Sequence, residues 1–188
     1  MKKIAILASG SGTNAERISR YFAAHPSIRV DMILSNRADA YVLKRAEALQ
    51  IPTKVFTREE LADANGVAAL LQSREISLVV LAGFLWLVPQ ALLKAFPNKI
   101  INIHPALLPS YSGKNMYGSR VHQAVIDAGE TESGITIHRV DEQYDRGEIL
   151  FRARCPVRPK DTAETLAKRI HRLEHYHYPS VIEQLLDD

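Results

Sequence analysis

Residues 4–15 read IAILASGSGTNA, an apolar run that leads into a glycine-rich turn and then into a helical pattern. This order is typical of a buried strand followed by a helix in a βα unit. Two more strand-like runs, residues 30–34 and 53–56, are each followed by a helical pattern. The alternation predicts parallel βαβ units, and therefore an α/β fold with a Rossmann-like, mostly parallel twisted sheet and helices on both faces.

The second half of the chain changes this pattern. Residues 78–82 and 100–103 are continuous apolar runs, as expected for strands that are buried on both faces. Residues 135–140 and 149–154 also resemble strands, but only an acidic turn lies between them. Because strands joined by a short turn run antiparallel, the sheet is expected to gain antiparallel strands toward its C-terminal part.

Local signals predict where three helices begin. Thr57 with Glu60, and Asp161 with Glu164, have the spacing of a capping box at a helix N-terminus. Pro89 is expected in the first turn of a short helix, where the missing N–H of proline costs nothing.

Length and composition limit the class of protein. The 188 residues fit a single domain, 1–188, and the single cysteine, Cys155, leaves no partner for an intrachain disulfide, so a reducing, cytoplasmic location is expected. The net charge of +3 comes without a block of basic residues, which favours small anionic substrates and argues against nucleic acid. The longest apolar stretch, residues 78–89, is shorter than the roughly 20 residues that cross a bilayer, so no membrane span is expected.

The glycine-rich turn is the first candidate binding site. Residues 10–15 satisfy the loose G-x-G-x-x-G/A pattern of dinucleotide-binding proteins. More generally, the N–H groups of the helix N-terminus, with the hydroxyls of Ser11 and Thr13, predict a phosphate site. The second strand ends at Arg37 without the usual acidic residue for NAD, so an NADP-binding oxidoreductase stays open as an alternative. A turn that needs glycine only for its backbone geometry is the other interpretation.

The second candidate site is catalytic. Asn102 and His104 lie two residues apart on an apolar strand that ends in a loop stiffened by proline, and alternate residues of a strand share a face. A carboxamide beside an imidazole can stabilise an oxyanion and move a proton, as the transfer of a carbonyl group requires. Asp145, in the acidic turn, is the candidate carboxylate that would raise the pKa of His104 and stabilise its cationic form, so that His104 could donate a proton near neutral pH. His138, on the strand that enters this turn, is a candidate for the lining.

Near the C-terminus, residues 171–175 read HRLEH, which matches the H-x-x-E-H pattern of certain zinc peptidases. Zinc binding would need a third ligand from the few residues that follow. The simpler interpretation is that this helix directs Glu174 toward the phosphate pocket.

Five motifs occur in a characteristic order along the chain. They are SGSGTN at residues 9–14, AGF at 82–84, NIHPALLP at 102–109, SGITIH at 133–138, and VDE at 140–142 followed by Asp145 and Gly147. Together they resemble the phosphoribosylglycinamide formyltransferase family, from residue 4 to about residue 182. That family transfers a formyl group from 10-formyltetrahydrofolate to the amine of glycinamide ribonucleotide in purine synthesis, without a metal. Other enzymes that use 10-formyltetrahydrofolate, a hydrolase or another amine formyltransferase, share this chemistry and remain alternatives.

The resemblance implies a role for each matching residue. The catalytic residues would be Asn102, His104 and Asp145. The ribonucleotide would contact Gly12, Thr13, Asn14 and Glu174. The folate would contact Arg58, Leu85, Trp86, Leu87, Val88, Asn102, Val140 and Asp141. The phosphate-binding half would span about 1–100, and the folate-binding and catalytic half about 101–188. The substrates would be small molecules, and the protein a monomer or homodimer.

The chain departs from the family pattern at two places near the candidate site. Trp86 stands where some relatives carry arginine. Residues 110–119, SYSGKNMYGS, form a slightly longer segment whose glycines and serines predict a mobile loop of the kind that closes over ligands. Lys114 within it is a candidate for an additional phosphate contact.

Overall fold

The structure of the protein, a computed structural model, describes residues 1–113 and 115–187. Lys114, the candidate phosphate contact, therefore lies outside the described residues. The described residues form these elements in chain order: β1 (Lys2–Leu7), α1 (Thr13–Phe22), β2 (Ile28–Ser35), α2 (Tyr41–Ala48), β3 (Thr53–Val55), α3 (Arg58–Ala62), a π-helical stretch (Ala64–Ala68), α4 (Ala69–Ser73), β4 (Leu78–Leu81), α5 (Gln90–Ala95), β5 (Ile100–His104), α6 (Ser119–Asp127), β6 (Glu132–Arg139), β7 (Ile149–Pro156) and α7 (Ala163–Asp187).

The strands form one sheet in the order β3-β2-β1-β4-β5-β6-β7. The first five strands run parallel, while β6 is antiparallel to β5 and β7 is antiparallel to β6. The predicted α/β fold with antiparallel strands toward the C-terminal part is therefore confirmed. The order reverses between β1 and β4, and in such sheets the crevice at the carboxyl ends of the strands at this point is the usual ligand site.

Helices cover both faces of the sheet, which explains why its central strands read as continuous apolar runs. Ile4 and Ile6 of β1 contribute to one core, together with residues of α1 and α7. Ala5 and Leu7 contribute to the second core, with residues of α3, α4 and α5. No helix in the described part of the chain has the length and apolar character needed to cross a bilayer.

Two of the predicted helix starts need correction. The capping box of Thr57 and Glu60 is confirmed at the start of α3. At the start of α7, however, the backbone N–H of Thr165 donates to the Thr162 hydroxyl, and the N–H of Thr162 donates to the Thr165 hydroxyl. Asp161 is instead paired with Arg169 at 2.7 Å, and this guanidinium lowers the pKa of its carboxyl below the usual range.

Pro89 directly precedes α5, in extended conformation, rather than lying inside its first turn. Its carbonyl still accepts hydrogen bonds from the N–H groups of Leu92 and Leu93. The predicted helix therefore exists and begins one residue later.

The long helix α7 is fixed to the sheet beside the crevice. Tyr178 is fully buried, and its hydroxyl donates a hydrogen bond of 2.9 Å to the carbonyl of Leu81 at the end of β4. Residues four apart lie on one face of a helix, so Glu174 lies one turn before this anchor and faces the carboxyl ends of the strands. The anchor thus determines the position of Glu174.

Candidate active site

A cavity of about 610 Å³ opens at the carboxyl ends of β1, β4 and β5. The loop after β1, the loop after β4, the polar end of β5 and parts of α6 and α7 form its walls. Of the described site residues predicted from the sequence, all except Asp141 line it. The carboxylate of Asp141 is exposed beside the cavity and accepts a hydrogen bond of 2.8 Å from the N–H of Gln143.

One end of the cavity is built by the glycine-rich turn. Gly12 is the N-cap of α1, with φ +76°, and it has no side chain that could accept hydrogen bonds from the first turn. The N–H groups of this turn and the positive end of the helix dipole are therefore left for an anion. The helix starts at Thr13, so Thr13 and Asn14 lie in its first turn, where they line the cavity.

Gly12→Ala is expected to destabilise the protein by several kcal/mol. A Cβ at Gly12 would lie 2.3 Å from Cγ2 and 2.8 Å from Cα of Val42, and the positive φ alone costs a side chain about 1–2 kcal/mol. Chemical denaturation of the variant measures this loss. Gly10→Ala is the matched control, because its Cβ would have nothing within 4 Å. Equal stabilities for the two variants would contradict the close approach of the turn to α2.

Asn14 and Glu174 form the wall next to this turn. The Nδ2 of Asn14 donates a hydrogen bond of 2.9 Å to Oε2 of Glu174, which is 6% exposed. Burial raises the pKa of the Glu174 carboxyl, and the bond from Asn14 opposes this effect only partly. The glutamate of the HRLEH motif thus belongs to the cavity wall, and no group of three possible metal ligands was found among residues 1–113 and 115–187.

Arg37, the residue on which the NADP alternative depended, does not line the cavity. It is exposed and forms an ion pair of 2.9 Å with Asp39. The structure therefore gives no support for a 2′-phosphate contact from this side chain.

A second part of the cavity wall is apolar and aromatic. Trp86 packs against Phe56 and Phe84, with ring centroids 6.2 and 6.3 Å away. The guanidinium of Arg58 lies 4.6 Å from the centre of the Trp86 ring, a cation–π contact. Leu85 keeps 41% of its surface exposed at the cavity mouth, and its N–H donates to the Ser9 hydroxyl at 3.1 Å. These residues form a wall that suits a flat, largely apolar ring.

Asn102 and His104 line the same cavity, on one face of β5. The antiparallel register places His138 of β6 directly beside Asn102. The Nδ1 of His138 donates to the carbonyl of Arg139 at 2.8 Å, so its Nε2 accepts the hydrogen bond of 3.2 Å from Nδ2 of Asn102. His138 therefore orients the amide, a role that the sequence pattern did not reveal because it depends on strand register.

Asp145 meets both histidines from the acidic turn. Its two carboxylate oxygens lie 3.6 Å from Nδ1 of His104 and 3.6 Å from Nε2 of His138. The N–H of Gly113 donates to the same carboxylate at 3.2 Å, which ties the loop after β5 to this turn. Burial alone would raise the pKa of Asp145, but its polar neighbours, the Gly113 N–H among them, together lower it. The structure thus brings Asn102, His104 and Asp145 together.

The electrostatics of His104 differ from the prediction. His104 is 3% exposed, and its Nε2 donates a hydrogen bond of 2.8 Å to the carbonyl of Tyr111. Burial lowers the pKa of His104 below 6.5, and this effect exceeds the opposing effects of Asp145 and the Tyr111 carbonyl. Asp145 does raise this pKa, as expected, but not enough to keep the imidazole protonated at neutral pH in the free protein.

Comparisons with known proteins agree with this architecture. A family profile for formyl transferases matches residues 2–182. The phosphoribosylglycinamide formyltransferase of Haemophilus influenzae is 40% identical over 190 aligned positions, which cover 97% of this chain and 86% of that protein. The phosphoribosylglycinamide formyltransferase of Bacillus subtilis is 39% identical, with 99% of this chain and 95% of that protein covered.

Solved structures give the same result. The crystal structure of the phosphoribosylglycinamide formyltransferase of Anaplasma phagocytophilum matches with a TM-score of 0.91 at 36% identity, covering 100% of this chain and 87% of that one. The enzyme of that name from Streptococcus pneumoniae matches with a TM-score of 0.87 at 36% identity, with 99% of both chains covered. Sequence, fold and cavity together show that the chain belongs to the formyl transferase family and, within it, to the phosphoribosylglycinamide formyltransferases.

Proposed function

We propose that this protein transfers a formyl group from 10-formyltetrahydrofolate to the amine of glycinamide ribonucleotide, a step of purine synthesis. The proposal rests on one observation: a single cavity contains all the parts that the reaction needs. It joins a helix N-terminus suited to phosphate, an aromatic wall suited to a pterin, and the three polar residues Asn102, His104 and Asp145. The two substrates would therefore meet where those residues lie.

The ribonucleotide phosphate would bind the N–H groups at Gly12, Thr13 and Asn14, and Glu174 would accept hydrogen bonds from the ribose hydroxyls. The folate ring would lie against Leu85–Val88, residues 85–88 of the loop after β4, with Arg58 at the edge and backbone contacts from 140–141. This placement directs the amine and the formyl carbon toward Asn102 and His104 from opposite ends of the cavity.

The reaction begins when the neutral amine attacks the formyl carbon. A C–N bond forms, the carbonyl π electrons move to oxygen, and the attacking nitrogen becomes positively charged. Asn102, oriented by His138, would donate an N–H to this oxyanion. Donors that are already in place where charge develops contribute strongly to catalysis.

His104 then carries the proton from the attacking nitrogen to the leaving nitrogen. Because Nε2 is held by the Tyr111 carbonyl, Nδ1 is the ring nitrogen that takes the proton from the attacking nitrogen. The imidazolium stabilises the oxyanion, and Asp145 stabilises the imidazolium. The carbonyl re-forms, the bond to the folate nitrogen breaks, and the proton passes from His104 to that nitrogen. These reaction steps conserve every atom and proton. They require no metal, and we therefore predict that the activity does not depend on one.

The test is to mix the pure protein with 10-formyltetrahydrofolate and to measure release of tetrahydrofolate with and without glycinamide ribonucleotide. We expect release that depends on the ribonucleotide, together with formation of formylglycinamide ribonucleotide detected by mass spectrometry. Release at the same rate without the ribonucleotide would identify a hydrolase instead. No release in either mixture would refute the proposal.

Several expectations from the sequence accompany this proposal. We propose that residues 1–188 act as a single domain in the cytoplasm, with phosphate binding in about 1–100 and folate binding and catalysis in about 101–188. We also propose that the protein acts on small molecules rather than nucleic acid or membranes, as a monomer or homodimer.

A further inference from the structure

His122 lies in the buried face of α6, between Val121 and Val125 in the chain, and is 2% exposed. It contributes to the cavity wall, yet its Nδ1 is buried without a hydrogen-bond partner among the described residues. If His122 only filled space in the core, an apolar residue such as its neighbours Val121 and Val125 would serve equally well. A buried polar atom without a partner is costly and therefore needs an explanation, and in a cavity wall a bound ligand provides one.

A second unpartnered atom belongs to the same cavity wall. Within the described part of the chain, Oδ1 of Asn14 is also buried without a hydrogen bond, while its Nδ2 is held by Glu174. The residues that influence the charge of His122 are His104 on β5 and His171 on α7, and both of them line the cavity. His122 therefore lines the same cavity as the residues of the proposed chemistry and as Glu174.

We propose that His122 is a ribonucleotide-binding residue, whose uncharged imidazole hydrogen-bonds a neutral hydroxyl or amide group of the substrate between its phosphate and its reacting amine. The inference rests on the proposed function and adds a contact to it. The imidazole supplies one donor and one acceptor, which matches a hydroxyl or a carboxamide.

The charge state of His122 agrees with a neutral ligand group. Burial is the largest of the effects that lower the pKa of His122 to about 4, with smaller contributions from the neighbouring His171 and His104, so the ring is uncharged at pH 7. A phosphate would instead select a protonated imidazole, and the glycine-rich turn already offers backbone N–H groups for it. His122 therefore determines recognition of the uncharged part of the ribonucleotide.

The test compares His122→Ala, His122→Phe and His122→Asn with the wild-type protein. Calorimetric titration gives the Kd for glycinamide ribonucleotide, and steady-state kinetics give kcat and a KM for each substrate. We expect the alanine and phenylalanine variants to bind the ribonucleotide about ten to a hundred times more weakly, while the KM for the folate substrate changes less than about twofold. Asparagine carries a polar atom at the position of Nδ1, so it should recover most of the affinity.

Each other result would overturn the inference. Wild-type affinity in the phenylalanine variant would show that His122 only fills space. Equal losses for both substrates would show general damage, and a fall in kcat at unchanged Kd would place His122 in the chemistry. If His122→Ala does not fold, the comparison of His122→Phe with His122→Asn still tests the role of His122.

The same measurements separate this inference from the proposed function. Binding of the ribonucleotide by the wild-type protein without formyl transfer would refute the proposed function alone, whereas unchanged binding by the variants would refute only the role of His122. A wild-type protein that does not bind the ribonucleotide would refute both.

Discussion

His104→Ala is expected to lower kcat about a thousandfold, because the variant loses the group that accepts and returns the proton and that stabilises the oxyanion as a cation. The effect should appear in kcat more than in the KM values, since His104 acts on charge that develops only after attack. Steady-state kinetics with both substrates measure this difference. Binding of the ribonucleotide at the glycine-rich turn should stay within a few-fold of wild type.

The control for this variant is another histidine that does not line the cavity. His177 is half-buried and packs against Phe151, with ring centroids 4.7 Å apart. His177→Ala is therefore expected to retain wild-type turnover. If His104→Ala turned over substrate at a rate close to that of His177→Ala, the proposed role of His104 would be wrong.

The fold was largely predictable because each central strand is buried on both faces. Such strands read as continuous apolar runs, and the glycine-rich turn and the helical patterns between them leave few topologies. The start of α7 was harder to predict. Asp161 and Thr162 are both good capping residues, and the pairing of Asp161 with Arg169, two turns into the helix, decides between them.

The candidate site was predictable where two residues belong to one strand, as Asn102 and His104 do. The proximity of Asp145 was only a hypothesis, based on the position of the acidic turn and on the resemblance, since over forty residues separate Asp145 from Asn102. The orienting role of His138 and the place of His122 in the cavity wall were not predicted, because they follow from strand register and from the packing of α6. The pKa of His104 also depends on burial, which a sequence pattern does not show.

Asp145→Asn is expected to lower kcat about a hundredfold or more, with the fold intact. The carboxylate that stabilises the imidazolium of His104 is lost, while the amide oxygen can still accept the N–H of Gly113. Asp145 has φ +55°, and asparagine is among the few residues that tolerate this conformation well. Glu142→Gln removes the same charge from the same turn at an exposed position outside the cavity wall, and should leave kcat unchanged.

The pH dependence of the same variant separates its electrostatic effect from a change in shape. Asp145 raises the pKa of His104 against the larger effect of burial, so its removal must lower that pKa further. A proton acceptor works only above its pKa, so kcat/KM falls as the pH drops through that of His104. The acid limb of the profile should therefore move to lower pH in Asp145→Asn, and an NMR titration of the His104 ring should show the same direction.

A double variant then tests whether the two residues act as a unit. In the His104→Ala background Asp145 has no imidazolium to stabilise, so adding Asp145→Asn should cost little further activity. Independent, multiplying losses would instead mean that Asp145 acts on the substrates directly or through His138. An acid limb that stayed in place would lead to the same conclusion, because the carboxylate would then exert no electrostatic control over His104.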